Sequence, residues 1–214
     1  MHALPVLTRR LGKQLPLMHA LRRRALLEAV QAAAQGTALS LTHLARRLPN
    51  TAFLKHRIKR VDRLLGNGRL WAERIQIYQA MAHWMLCGCH QPLILIDWSE
   101  LPSGYQLLRA AVPADGRSLV LYEEVHPRRL LGNRKVQHAF LDTLKALLPL
   151  DCQPIICADA GFKTPFYEYV EGLGWTWVGR LRGAVRVRRG GQWIPAKGLY
   201  PLANTNLTLV RDLT

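Results

Sequence analysis

Two short apolar runs, each stopping at an aspartate, constrain this chain more than any other feature: Leu93-Ile94-Leu95-Ile96-Asp97 and Pro154-Ile155-Ile156-Cys157-Ala158-Asp159. An uninterrupted apolar run of this length, flanked by turn residues, predicts a buried strand of a parallel sheet. A carboxylate at the carboxyl end of such a strand stands where open α/β sheets place their ligand chemistry. Two of them on neighbouring strands could hold divalent metal between them. On a chain with a formal charge of +16, such a pair points to phosphodiester chemistry on nucleic acid.

The charge is unevenly spread. Residues 1–90 hold 15 Lys and Arg against 3 Asp and Glu, whereas residues 91–214 hold 15 against 11. A basic module in front of a more neutral one makes a polyanionic partner the better reading than general solubility. With 214 residues, 49% of them hydrophobic, the chain can build a real core in one large or two small domains.

Four cysteines, Cys87, Cys89, Cys152 and Cys157, are too few for a disulfide framework. Their spacing matches none of the usual zinc pairs, so buried reduced thiols are expected. The longest apolar stretches fall well short of a membrane span, and no signal peptide opens the chain. A cytoplasmic protein with no membrane partner is expected.

Helical signals fill the basic part. Residues 17–35 read as a helix, with Leu17, Leu21, Leu26, Ala29 and Val30 near helical spacing and Gly36 as a stop. Ser40 offers an N-cap for a short helix from Leu41 to Leu48, closed by Pro49. A third helix is expected from about Thr51 to Leu65 and a fourth over residues 69–86. In the third, Leu54, Ile58, Val61 and Leu65 form one apolar face. Lys55, Lys59 and Arg63 recur every four residues beside it, with Arg57 and Arg60 between. Helix, short helix, turn, basic helix is the layout of a helix-turn-helix. The pattern alone fits equally well a solvated face on an ordinary bundle; the charge asymmetry tips the reading to DNA.

From Gln91 strands and helices alternate. Leu93–Asp97, Leu107–Val112 and Ser118–Glu123 read as strands linked by Pro102-Ser103-Gly104 and Ala114-Asp115-Gly116, a spacing that fits an antiparallel meander. A helix over 135–148, a strand Ile155–Ala158, a helix over Pro165–Gly172 and a strand Trp175–Leu181 follow. That element order is the order of the ribonuclease-H-like fold, which sets its first strand beside its fourth and would bring Asp97 and Asp159 to one point.

Phosphodiester cleavage and strand transfer need an activated oxygen nucleophile and stabilisation of charge at the scissile phosphate. Two Mg²⁺ ions about 3.5–4 Å apart serve both ends of an in-line displacement, and Mg²⁺ takes hard oxygen ligands while keeping several waters. Asp97 and Asp159 are the candidates to hold Mg²⁺ (or Mn²⁺). The plainer readings are that Asp97 caps a turn through Ser99 and that Asp159 caps the helix that follows it. A strand-end aspartate also marks aspartyl phosphatases, but that chemistry wants a second Asp two positions on, where this chain has Ser99.

Three stretches then carry a family resemblance: Asp62-Arg63-Leu64-Leu65-Gly66-Asn67, Ile96-Asp97-Trp98-Ser99 and Ala158-Asp159-Ala160-Gly161-Phe162-Lys163. They resemble the DDE transposases of bacterial insertion sequences, most nearly the branch containing the transposase of the composite tetracycline-resistance transposon. Gly116-Arg117-Ser118-Leu119-Val120-Leu121-Tyr122-Glu123 and Leu173-Gly174-Trp175-Thr176-Trp177-Val178 add to it, and the likeness runs from about residue 18 to 200.

The resemblance implies a cut-and-paste enzyme that cleaves transposon ends and joins them to target DNA through a metal-bound Asp-Asp-Glu triad. Asp97 matches its first aspartate and Asp159 its second. The expected partner is double-stranded DNA, both the terminal inverted repeats and the target, with self-association on DNA, in a bacterial, nucleoid-associated setting. Members of the family carry an antiparallel insertion after the fifth strand, and Arg182–Leu199 is similar to its beginning. They use an aromatic residue to hold a flipped base; Trp193 is the counterpart, with ordinary packing as the other reading.

One departure stands out. The third acid of the family lies on a later helix within a Tyr-Arg-Glu-Lys signature, and after Glu171 the only acidic residue is Asp212. Glu100, Glu123 and Glu124 are wrongly placed for that role. The expectation is therefore an α/β protein with a helical, basic DNA-binding domain (1–90), a partial ribonuclease-H-like core (91–182) and the truncated start of a β insertion (183–214). Two of three metal-site carboxylates would be present, which puts full activity in question. The alternative is a non-catalytic DNA-binding remnant that occupies transposon ends.

Overall fold

A computed structural model of the chain describes residues 3–36, 38–180 and 185–199. It is a mixed α/β protein that divides into two compact units, Met1–Cys87 with Ala146–Pro149, and Gly88–Lys145 with Leu150–Thr214. No described helix is long and apolar enough to cross a membrane.

Among its described residues the first unit has six helices: α1 (Ala3–Gln14), α2 (Ala20–Ala34), α3 (Leu41–Arg47), α4 (Leu54–Leu65), α5 (Gly68–Ala72) and α6 (Arg74–Met85). Helix α1 precedes the first helix expected from the sequence. Local caps set several starts. His19 Nδ1 accepts from the Leu21 N–H, Ser40 Oγ from His43, and Asn67 Oδ1 from both Arg69 and Leu70, each satisfying an otherwise orphaned first-turn donor. The single helix expected over 69–86 is interrupted at Glu73, whose carboxylate is bound by Arg22 Nε at 2.6 Å and by Arg22 Nη2.

Two small cores lie among its described residues. Leu11, Leu15, Met18, Leu27 and Ala80 form one, and Ala32, Ala45, Leu48 and Val61 the other, joined by Leu44, Leu54 and Ile58. The apolar faces shift from expectation. Leu17, before α2, and Leu21 and Val30 within it are exposed, and Leu27, Glu28 and Ala32 are buried instead. In α4, Leu65 is 66% exposed and Leu64 takes the buried position. A row of Leu54, Ile58, Val61 and Leu65 keeps the 3.6-residue period more closely, so the burial of Leu64 is set by what α4 packs against and not by helical spacing.

The second unit is built on a five-stranded sheet of β1 (Leu93–Leu101), β2 (Tyr105–Ala114), β3 (Arg117–Pro127), β4 (Ile155–Ala158) and β5 (Thr176–Gly179). The spatial order is β3-β2-β1-β4-β5. Strands β1 to β3 form an antiparallel meander, and β4 runs parallel to both β1 and β5. Helix α7 (Arg134–Leu147) leads into β4, and α8 (Thr164–Gly172) lies between β4 and β5. Asp115 (φ 42°) and Gly116 (φ 76°) close the β2–β3 hairpin in two residues, the left-handed pair that a tight hairpin of this twist requires.

On β3 the register jumps between Tyr122 and Val120 opposite Ala110 and Ala111, leaving Leu121 as the extra residue of a bulge. The bulge explains how two consecutive side chains, Leu121 and Tyr122, are both buried. Tyr122 then stacks on Phe140 of α7, with ring centroids 5.0 Å apart. Ile94, Ile96, Leu108 and Ala110 complete that buried face. Beyond the sheet, β6 (Arg186–Arg189) and β7 (Gln192–Pro195) form a two-stranded antiparallel hairpin.

The thiols differ from expectation. All four cysteines are free and Cys152 is buried, but Cys87 and Cys89 are exposed. They flank Gly88, which has a positive φ (76°), and neither lies in a helix or strand.

Candidate functional site

Strand β1 does not stop at Asp97. It continues to Leu101 because residues 97–101 keep pairing with β2, from Asp97↔Arg109 to Leu101↔Tyr105. What ends near Asp97 is the parallel pairing with β4, whose last register pair is Ile96↔Ala158. The next residue on each strand is an aspartate. Asp97 and Asp159 thus each follow the last register pair of two neighbouring strands, which lie about 4.8 Å apart in a sheet.

Their surroundings differ. Asp97 is exposed, on the face opposite Ile94 and Ile96, and its Oδ2 accepts from Ser99 Oγ at 3.4 Å. Both residues lie within the strand, so this contact caps no turn. Asp159 is also exposed; its Oδ1 accepts from the Gly161 N–H at 2.8 Å, and its backbone carbonyl from Phe162 N–H and from Tyr167 Oη, each at 3.3 Å. The N-cap of α8 is Lys163, not Asp159. One oxygen of Asp159 therefore shapes its own loop while Oδ2 has no hydrogen bond among the described residues.

Tyr167 was not singled out by the sequence. It is 9% exposed, and burial, then the charge of Asp159, pushes its hydroxyl up to about 12. It is thus a fixed neutral donor to the Asp159 loop. Its ring packs at 4.3 Å, centroid to centroid, on Trp177, whose Nε1–H donates to Glu171.

On the other side of β1, Arg109 stands opposite Asp97 and Glu123 opposite Arg109. Arg109 Nε donates to Glu123 Oε2 at 3.0 Å, and Nη2 stands 3.0 Å from the same oxygen as an ion pair. Glu100 is exposed and meets Arg128 at 3.6 Å; Glu124 binds Tyr122 Oη and His126 Nε2. Among the described residues, no three His, Cys, Asp or Glu side chains gather into a metal-holding group.

A cleft of about 660 Å³ opens beside Asp159, lined by Lys163, Tyr167, Arg180, Arg186 and Trp193 among others. Trp193, on β7, is 58% exposed, and its carbonyl accepts from Arg186 Nη2 at 2.8 Å. Asp97 does not line this cleft.

In the first unit the five basic residues of α4 separate into two groups. Lys55, Lys59 and Arg63 are exposed. Arg57 and Arg60 lie on the flank of the buried ridge: Arg57 Nη1 donates to the Arg46 carbonyl at 3.4 Å, and Arg60 Nη2 meets Glu28 Oε2 at 2.5 Å. Glu28, buried in α2, also accepts from Arg24 Nε at 2.8 Å. A cleft of about 730 Å³ beside α4 is lined by His19, His56, Lys59, Arg60 and Arg63, with the apolar Leu21, Ala25 and Leu64 among the rest.

No known protein family, curated protein or solved structure matches this chain.

Proposed function

We propose that this chain is the DNA-binding and partial catalytic portion of a DDE-type transposase, with a helical DNA-binding unit and a ribonuclease-H-like sheet whose two aspartates hold Mg²⁺ or Mn²⁺ against a phosphodiester. The observation that carries this reading is the parallel pairing of Ile96 with Ala158, after which Asp97 and Asp159 are the next residues on the two chains. The sheet order β3-β2-β1-β4-β5, with three antiparallel strands and two parallel ones, is the arrangement such a core requires.

The donor set fits a hard cation. Two exposed carboxylates with oxygens to spare suit Mg²⁺, which binds through one or two carboxylates and retains water. When bound, the metal would supply a Lewis acid for the phosphate oxygens and lower the pKa of a coordinated water. The chain's own part is to orient. The Gly161 N–H and the neutral Tyr167 hydroxyl fix the Asp159 loop, and Ser99 steadies Asp97. Lys55, Lys59 and Arg63 would neutralise duplex phosphates, and Trp193 beside Asp159 would stack on an unpaired base.

A second reading is favoured by one observation: no third carboxylate joins the pair among the described residues. On that reading the chain binds transposon ends without cutting them. A duplex carrying the terminal inverted repeat, incubated with the protein in Mg²⁺, separates the two. Nicking at the repeat end that disappears in Asp97→Asn and Asp159→Asn supports the enzyme, and binding without nicking supports the remnant. Failure to bind Mn²⁺ at all, measured by titration calorimetry, would remove the metal site from both.

A further inference from the structure

One row of side chains crosses the meander beside the aspartate pair. Asp97, Arg109 and Glu123 are register partners on β1, β2 and β3, so all three project from the same face. An arginine directly opposite an aspartate ordinarily pairs with it. Here it does not. Arg109 turns to the other side, where its Nε donates to Glu123 Oε2 and its Nη2 stands 3.0 Å from the same oxygen, and Asp97 makes no ion pair among the described residues. The Arg109 side chain is 39% exposed and that of Glu123 32%, so this is a braced cation at the rim and not a sealed structural bridge.

We propose that Arg109 is a phosphate ligand of this site, and that Glu123 is a positioning residue that keeps the guanidinium off Asp97 and turned toward the DNA strand the aspartates engage. The inference rests on the function proposed above. Its physical basis is competition: a guanidinium bound to Asp97 would occupy the oxygens a divalent cation needs, and would itself be unavailable to phosphate. Glu123 removes that conflict by taking the Nε–H and pairing with the guanidinium charge. The remaining N–H groups keep the planar fork that suits phosphate oxygens, a geometry lysine lacks.

The test uses the full chain and two probes, Mn²⁺ alone and a labelled duplex carrying the terminal repeat, with binding to the duplex measured in Mn²⁺ and in EDTA. The unaltered chain should bind the duplex more tightly in Mn²⁺. Arg109→Gln should bind Mn²⁺ as before yet lose roughly ten-fold of duplex affinity in Mn²⁺, as expected for one charged contact to phosphate, and Arg109→Lys should recover only part. Glu123→Gln should weaken Mn²⁺ binding several-fold, because the released guanidinium then falls on Asp97; a merely structural pair would not move that number. An Arg109→Gln chain that folds, by circular dichroism, and keeps the full Mn²⁺-dependent gain overturns the proposal. If it does not fold, unchanged Mn²⁺ and duplex affinities in both Arg109→Lys and Glu123→Gln overturn it equally. Loss of Mn²⁺ binding in Asp97→Asn alongside a null result at Arg109 would sink this inference alone. Unchanged Mn²⁺ binding in Asp97→Asn, or no Mn²⁺-dependent gain in the unaltered chain, would sink the underlying site.

Discussion

The Tyr167 ring fills the space a side chain at Gly179 would need: a Cβ there would stand 2.7 Å from the tyrosine oxygen and 2.8 Å from Cζ. Gly179 ends β5 and pairs with Ala158, the residue before Asp159, so this close approach fixes the platform from which Tyr167 reaches the Asp159 carbonyl. Gly179→Ala should lower stability by about 1–3 kcal/mol through overpacking, read as a lower urea midpoint. Tyr167→Phe in that background should not restore it, because the ring carbons clash as well as the hydroxyl. Recovery on removing only the hydroxyl would show that the ring can shift.

The two classes of cation on α4 should separate cleanly. Arg60→Ala leaves Glu28, buried in α2, with Arg24 alone, and should cost about 1–2 kcal/mol; the exposed side of the arginine keeps the loss below that of a fully buried pair. Lys55→Ala, Lys59→Ala and Arg63→Ala should change stability by no more than about 0.5 kcal/mol. Each of these three should instead reduce the slope of log affinity against log salt for duplex DNA by roughly 0.9. An unchanged slope in the triple variant would place the duplex elsewhere.

The Arg22–Glu73 pair predicts an acid-sensitive step in stability. Its hydrogen bonds to Arg22 hold the Glu73 carboxyl below the ordinary carboxylate range. A depressed folded-state pKa means that the stabilisation is fully present above the unfolded value, 4.5, and is lost as pH falls through the lower folded value. Urea midpoints of the unaltered chain and Arg22→Gln should therefore differ at neutral pH and converge in acid. A gap that persists at the lowest pH would assign the effect to packing.

Thiol reactivity should follow burial. Cys87 and Cys89 are exposed, while burial pushes the Cys152 thiol up to about 11, which leaves almost no thiolate at neutral pH. Alkylation of the native protein should label Cys87 and Cys89 rapidly and Cys152 only on unfolding, with mass spectrometry of peptides as the readout. Rapid native labelling of Cys152 would mean that the strand ends open locally.

Much of the sheet was legible because its signals are local. Ile155–Ala158 is a strand with the expected bounds, and the Asp115-Gly116 turn follows from the φ values that such a hairpin demands. The caps at Ser40 and the stop before Pro49 are local as well. Helix faces were less legible: Leu65 and Leu64 are equally apolar, and which one is buried depends on what α4 packs against. The split at Glu73 was invisible for the same reason, since Arg22 lies 51 residues away.

By itself the sequence determined which residue types exist to do chemistry: two aspartates after apolar runs and a cluster of cations in a basic amino-terminal part. Tertiary structure alone decided their company. Register set Asp97 beside the end of β4, Glu123 claimed Arg109, and buried Glu28 claimed Arg60. Side-chain type and periodicity are properties of neighbours along the chain, whereas which charge meets which is settled by strands and helices brought together from far apart in sequence, where the cost of burying an unpaired charge selects the partner.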